Sequence, residues 1–379
     1  MRYSPNLPFL CMMKIKILFF ISLITLGCSS REVKRVTKKH FHEASLISYA
    51  SHFDLIQSET NFLLHFMSPE SGEIELRFFL TNNAEISKKG YTTILLPSSR
   101  LITLSGTSIG MLSTLKEQGR IVGVSNVKYV YDKQTLERIK KNQVIEVGEE
   151  SNLPLEKIIQ TQAQLILYSG FGSNFPGSQK LNALGIKSIP IYDWRETHPL
   201  GKAEWIKLFG VLTNKTEAAE HYFNDIESKY LQLKESVKPL SNSPTVLSGN
   251  ILGDIWYAPN GNSFVAQILK DAHVTYKYQN SSGTGSAQRS LERIIKDNTD
   301  TDYWVNPGLS SRGAILELNS KLKYVGPLKS NTYCYSHNIN LFWERSAIEP
   351  HRVLADFIQL FHPELKASDS LYFYRNINE

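Results

Sequence analysis

The period of hydrophobic and polar positions changes several times along the chain, and each change marks a boundary. Ile17-Leu-Phe-Phe-Ile-Ser-Leu-Ile-Thr-Leu26 is almost unbroken apolar sequence, preceded by Lys14-Ile-Lys16 and followed by Gly27-Cys28-Ser29-Ser30. Residues 31–43 are basic and polar and read as a tether. From Leu46 to Leu96 the short apolar runs Asn61-Phe-Leu-Leu-His-Phe, Ile74-Glu-Leu-Arg-Phe-Phe-Leu and Tyr91-Thr-Thr-Ile-Leu-Leu predict strands. Pro69-Glu-Ser-Gly72 and Lys88-Lys-Gly90 supply the turns between them. Beyond Leu96, strand-like and helix-like periods alternate, as in an α/β protein.

That alternation occurs twice with similar words. Leu104-Ser105-Gly106 closes a strand in the first half, and Leu247-Ser248-Gly249 closes one in the second. Each is expected to lead into a helix, ending near Leu115-Lys116-Glu117 and Leu269-Lys270-Asp271. Leu155-Glu156-Lys157-Ile158-Ile159 corresponds to Leu291-Glu292-Arg293-Ile294-Ile295. Each then runs into a strand and a glycine, Gln164-Leu-Ile-Leu-Tyr-Ser-Gly170 and Asp302-Tyr-Trp-Val-Asn-Pro-Gly308. Matching words in matching order predict one topology used twice.

Between the halves, Trp205, Leu208, Phe209 and Leu212 fall at helical spacing, as do Ala219, Tyr222, Phe223, Ile226, Tyr230 and Leu233. Asn214 and Glu217 have capping-box spacing, and Lys238-Pro-Leu-Ser-Asn-Ser-Pro244 ends the helical stretch. The expected fold is therefore α/β, with two Rossmann-like lobes joined by a long helical linker and a β-rich N-terminal extension. The expected segments are a signal peptide (1–27), a tether (28–45), the extension (46–97) and an N-terminal lobe (98–197). Linking helices (198–238), a C-terminal lobe (244–365) and a tail (366–379) complete the chain.

The leader has the three parts of a secretory signal, and its apolar run is too short to span a bilayer. Gly27-Cys28 resembles the lipobox of bacterial lipoproteins, although Thr25 stands where leucine is usual. Lipidation of Cys28 implies a protein of the periplasm or cell envelope held at a membrane by acyl chains. Loss of Arg2, Lys14 and Lys16 with the leader lowers the formal charge from +6 to about +3. With no basic run interleaved with aromatics, the sequence gives no support to nucleic-acid binding. Of the three cysteines, Cys11 and Cys28 belong to the leader, so Cys334 has no partner and reads as a small core residue.

Several stretches resemble the substrate-binding proteins of ABC importers for iron–siderophores, haem and vitamin B12, the helix-linked class III periplasmic binding proteins. They are Arg100-Leu-Ile-Thr-Leu-Ser, Arg120-Ile-Val-Gly-Val, Asn152-Leu-Pro-Leu-Glu156, Leu184-Gly-Ile-Lys-Ser-Ile-Pro190 and the linking helices, within residues 100–363. Trp194, His198-Pro-Leu-Gly201, Ala203-Glu-Trp205 and Trp256-Tyr-Ala-Pro-Asn-Gly-Asn262 resemble a Bacteroidetes-type branch that also carries a β-rich extension. The resemblance implies capture of a metal chelate (ferric siderophore, haem or cobalamin) by a monomer that delivers it to an ABC permease and its ATPase. It also implies that Glu156 and Glu292, each in the first turn of a duplicated helix, dock the two lobes on permease arginines. A carboxylate there also suits the helix dipole by itself.

Ligands of open parallel sheets bind beyond the carboxyl ends of the strands. Loops there offer Ser105, Thr107, Tyr168, Phe171, Trp194, Arg195, Trp256, Tyr257, Arg312, Trp343 and Arg345 as candidate ligand contacts. Aromatic rings suit a flat or apolar ligand, and arginines suit its anionic groups. His198, His273, His337 and His351 share no metal-ligand spacing, so bare zinc or manganese binding is the weaker alternative. A single axial contact to a chelated metal from His198 or His337 stays open. The chain shows no Gly-x-Gly-x-x-Gly run, P-loop or Gly-x-Ser-x-Gly elbow, so neither an enzyme nor a catalytic cofactor is expected. A surface adhesin of the same fold is the other alternative.

Overall fold

Four sheets organise the chain. The structure, a computed structural model, describes residues 44–170, 175, 177–366, 368 and 370–378. The expected signal peptide, Cys28 and Phe171 lie outside the described residues.

The first sheet runs β1 (Phe53–Ser58), β2 (Asn61–Met67), β3 (Ile74–Thr81), β4 (Thr92–Leu95) in that order. The first two pairings are antiparallel and β4 returns parallel to β3. The three strands expected from sequence are β2, β3 and β4. β1 is additional: Asp54 and Gln57 interrupt its buried Phe53, Leu55 and Ile56, so it shows no clean alternation. The sheet packs on the linker through Phe53 and Phe66, whose ring centroids lie 4.4 and 6.1 Å from that of Trp205. Two buried carboxylates hold the chain just before it. Glu204 accepts the N–H groups of Ser48, Tyr49 and Ala50 at 2.8, 2.7 and 2.9 Å. Glu196 accepts Ser51 N–H at 2.9 Å and Trp205 Nε1–H at 3.0 Å.

Next come β5 (Leu101–Thr103), α1 (Gly106–Thr114), β6 (Ile121–Val124), α2 (Lys133–Lys140), β7 (Ile145–Glu146), α3 (Leu155–Thr161), β8 (Leu165–Tyr168), α4 (Ser178–Ala183) and β9 (Lys187–Pro190). All pairings are parallel, in the order β7-β6-β5-β8-β9. β5, β6 and β8 are buried along their whole length, as expected of parallel strands covered on both faces.

The linker is α5 (Pro199–Glu204), α6 (Ile206–Thr213) and α7 (Thr216–Ser236). With 21 residues, α7 is about 32 Å long. The expected capping box is not formed. Asn214 instead ends α6 in the left-handed region (φ 61°), and α7 starts behind Lys215 without a side-chain cap.

The last part contains β10 (Thr245–Ser248), β11 (Asn250–Leu252), β12 (Ile255–Pro259), α8 (Phe264–Asp271), β13 (Thr275–Tyr276), β14 (Ser286–Ser290) and α9 (Leu291–Asp297). It continues with β15 (Tyr303–Val305), α10 (Arg312–Leu318), β16 (Thr332–Tyr335), α11 (His337–Asn340), α12 (Phe342–Arg345), α13 (Pro350–Phe361) and β17 (Tyr374–Asn376). The main sheet has the order β13-β10-β15-β16-β17, parallel except for β17. A small antiparallel sheet, β11-β12-β14, stands beside it.

The duplicated words occupy equivalent places. α3 leads into β8, which pairs in parallel with β5, and α9 leads into β15, which pairs in parallel with β10. The fold is α/β with two lobes, as the repeat predicts. Two details differ. Gly249 does not lead straight into a helix, because the β11–β12 hairpin intervenes before α8. The expected tail carries β17, since buried Asp356 accepts the N–H groups of Tyr372, Phe373 and Tyr374 at 2.7, 2.6 and 3.1 Å and fixes that strand at the sheet edge.

Candidate ligand cleft

The carboxyl ends of β10, β15 and β16 converge on a cavity of about 300 Å³. Ser248, Asn306 and Tyr335 stand at those three strand ends and line it. Asn306 takes a left-handed conformation (φ 64°). Its Nδ2 donates to Ser248 Oγ at 3.2 Å, and its Oδ1 accepts the Tyr374 hydroxyl at 2.8 Å. One polar residue thus ties two parallel strands to the edge strand below the cavity.

The apolar wall comes from α8, through Phe264, Val265 and Ile268, and from α12. Tyr335 and Phe342 are stacked at 3.9 Å with 2° between their planes. Trp343 meets Tyr335 edge-on at 5.4 Å and is about half exposed (49%), so its ring is available at the mouth. His337 stacks on Trp343 at 5.0 Å, and burial lowers its pKa, which favours the neutral imidazole. Thr107, on the first turn of α1, brings the N-terminal lobe to the cavity. Lys202, from α5, brings the linker, with its Nζ 4.3 Å from the centre of the Phe264 ring. Burial lowers the Lys202 pKa and raises that of Asp193 beside it.

Of the residues proposed from sequence, Thr107, Tyr257 and Trp343 line this cavity. Ser105 sits next to Thr107 but caps α1, accepting Ser108 N–H at 3.2 Å. Three expectations need correction. Trp256 is wholly buried against Trp304 at 5.2 Å, because its side of β12 faces the core. Tyr168 is buried against Phe175 at 4.7 Å. Arg345 is committed within the fold, to Glu349 at 2.6 Å and the Tyr372 hydroxyl at 2.9 Å. Arg312 is exposed at the start of α10 and is not among the cavity-lining residues.

Trp194 keeps some exposure, but its Nε1 donates to Ser169 O at 2.7 Å. Arg195 lies over the Trp194 ring at 4.7 Å and pairs with Glu70 of the extension at 2.8 Å. Neither is part of the cavity wall. His198 caps α5, its Nδ1 accepting Leu200 N–H at 3.1 Å. Among the described residues no three His, Cys, Asp or Glu side chains are grouped to hold a metal ion. Sequence reasoning missed Lys202, Phe264 and Tyr335, which carry no motif of their own. Glu156 and Glu292 are exposed in the first turns of α3 and α9, with Glu292 3.3 Å from Lys321 Nζ.

Two lobes on a helical linker thus carry a largely apolar cavity at the strand ends. The chain belongs to the periplasmic binding protein family, whose model matches residues 101–317. Members of that family are solute-binding, non-catalytic transport components, and this protein is one of them rather than an enzyme. An uncharacterized lipoprotein of Methanocaldococcus jannaschii is 27% identical over 302 residues, covering 76% of this chain and 71% of its own. A periplasmic haem-binding protein from Pseudomonas aeruginosa has a similar fold, with a TM-score of 0.58 at 16% identity over 74% of this chain and 98% of its own. The petrobactin-binding protein YclQ from Bacillus subtilis gives a TM-score of 0.52 at 17% identity over 70% and 92%.

Proposed function

We propose that this protein captures a metal chelate in the cavity between strand ends and linker, and hands it to an ABC permease. The observation that carries this reading is the aromatic wall of Tyr257, Phe264, Tyr335, Phe342 and Trp343 at the carboxyl ends of parallel strands. Such a surface stacks on a flat or greasy ligand, and apolar burial supplies most of the affinity. Structural neighbours named for haem and for petrobactin support a chelate as cargo. A cavity of about 300 Å³ is at the small end of ligand sites, which run from about 300 to 1,000 Å³. That size favours a compact chelate, or one substituent of a larger one, over a fully enclosed corrin.

Lipidation of Cys28 would hold the protein at the envelope membrane, and the sequence relative that is itself a lipoprotein supports this. Glu156 and Glu292 are the proposed permease contacts, exposed and topologically equivalent on the two lobes. The Bacteroidetes-type assignment rests on the sequence motifs and on the β-rich extension ahead of the lobes.

Titration of the purified protein with ferric siderophores, haem and cobalamin, read by tryptophan fluorescence, tests the proposal. Trp343 reports directly on occupancy of the cavity. Saturable quenching by one class of chelate, with a matching rise in unfolding temperature, is the expected result. Saturable quenching by none of them sinks it.

A further inference from the structure

The cavity has one charged wall residue, and its charge is only loosely paired within the fold. Two lysines on consecutive linker helices show the contrast. Lys207 on α6 donates to Glu204 Oε1 at 2.8 Å and to Leu46 O at 2.7 Å, so its ammonium is spent on holding the extension. Lys202 on α5 has only 14% of its side chain exposed, and its nearest carboxylate oxygen, Asp193 Oδ2, is 4.0 Å away. That is beyond hydrogen-bonding distance. Among the described residues the Lys202 ammonium makes no hydrogen bond; the Phe264 ring is 4.3 Å away, and the Asp193 and Glu196 carboxylates act on it from farther off.

A largely buried ammonium has three donors, and leaving them unpaired is costly. Asp193 is buried too, and its Oδ2 makes no hydrogen bond. Lys202 belongs to the cavity wall, whereas Asp193 does not. The Asp193 carboxylate lies close to both Lys202 and Thr107. Thr107, also in the cavity wall, sits in the first turn of the nine-residue helix α1, whose N-terminus carries partial positive charge. No carboxylate is among the cavity-lining residues.

We propose that Lys202 is the anchor for an oxyanion of the captured chelate, so that this site selects anionic chelates over neutral ones of the same size. The inference rests on the chelate-binding reading of the same cavity and adds the charge class of the cargo. The aromatic wall holds the apolar body of the ligand, and Lys202, with Thr107 nearby, takes one carboxylate or catecholate oxygen. An ammonium–oxyanion hydrogen bond formed away from bulk water is among the stronger polar contacts a site of this size can offer.

The test uses the purified full chain and two matched pairs of probes. One pair is haem with free propionates against haem with esterified propionates. The other is a ferric tris-catecholate against a neutral ferric tris-hydroxamate. In the wild type, at least one anionic member is expected to bind about tenfold or more tighter than its neutral counterpart. Lys202→Met should weaken that anionic member by about tenfold to a hundredfold and leave neutral probes within about twofold. Lys202→Arg should keep most of the preference, and the wild-type preference should itself shrink as salt is raised. Should Lys202→Met misfold, the wild-type comparison within each pair still decides. Equal wild-type affinity within both pairs overturns the inference, as does unchanged anionic affinity in Lys202→Met, and in either case the chelate reading stands. If no probe binds the wild type, the chelate reading falls and this inference with it.

Discussion

The carboxylate of Glu344 accepts the backbone N–H of Tyr131 at 2.7 Å, joining α12 of the C-terminal half to the segment before α2 in the N-terminal lobe. The same oxygen accepts Asp132 N–H at 3.1 Å, while Oε2 is buried with no hydrogen-bond partner. Glu344 is fully buried and precedes Arg345 and follows Trp343, the latter a residue of the cavity wall. Its pKa is pushed up to about 7, first by burial, then by the charge of Asp132, against the two backbone donors.

An acid whose folded pKa lies above its unfolded value stabilises most at low pH. The contribution is complete below about 4.5 and is lost as pH rises through about 7. Glu344→Gln keeps an acceptor for both N–H groups and removes the titration. Unfolding at pH 5 and at pH 8 should therefore show wild type losing stability relative to Glu344→Gln, by up to the order of 3 kcal/mol. A stability difference that stays flat between those pH values rules out a raised pKa at this position.

Gly110 is placed where α1 crosses α12. A Cβ added there would lie 1.8 Å from the carbonyl oxygen of Glu344, which is main chain and cannot swing away. Gly110→Ala should force the two helices apart and cost about 1–3 kcal/mol or more, seen as a lower unfolding temperature. Gly119→Ala, with open space around its Cβ, is the control and should change little.

The extension is held by a buried carboxylate rather than by apolar contact alone. Glu204→Ala would leave three N–H groups and the Lys207 ammonium without their partner, at a cost of about 3–5 kcal/mol. Limited proteolysis should then cleave within residues 46–97 well before the lobes. Equal resistance in variant and wild type would contradict the clasp.

Two tryptophans expected to act alike should behave in opposite ways. Trp343→Ala should weaken chelate binding severalfold with a small loss of stability, because its ring is half exposed at the cavity mouth. Trp256→Ala should cost about 3–5 kcal/mol of stability, because its ring is wholly buried. Chelate titration paired with thermal unfolding separates the two, and a reversed pattern would contradict the assignment.

Docking is tested on the outer surface. Glu156→Arg or Glu292→Arg should leave chelate affinity unchanged, since both side chains are exposed and neither lines the cavity. Uptake measured in cells should fall by about tenfold or more if each glutamate meets a permease arginine, as expected for reversal of an interfacial charge pair. Normal uptake by both variants would remove these residues from the interface.

Legibility of the chain followed the range of the interactions involved. Strands β2, β3, β5, β8 and β10 were readable because each is a short apolar run bounded by polar turns. The equivalence of α3 and α9 was readable because similar sequence recurs in similar order. Loop and strand-end residues suggested a ligand site, and of those named Thr107, Tyr257 and Trp343 line the cavity. The capping box at Asn214 failed because the local spacing also suits a left-handed helix end, and closure of α6 won.

Alternation of strands and helices, and the duplicated lobe, can be read off the chain because periodicity is a property of neighbouring residues. Which ring or charge is spent inside the fold and which faces the cavity is set by packing. Trp256 and Trp343 are the same side chain in similar loops until β12 buries one against Trp304. Lys207 and Lys202 stand on consecutive helices, yet only the first meets a carboxylate within hydrogen-bonding distance. Those outcomes depend on partners distant in the chain, and only the packed molecule brings such partners within a few ångströms.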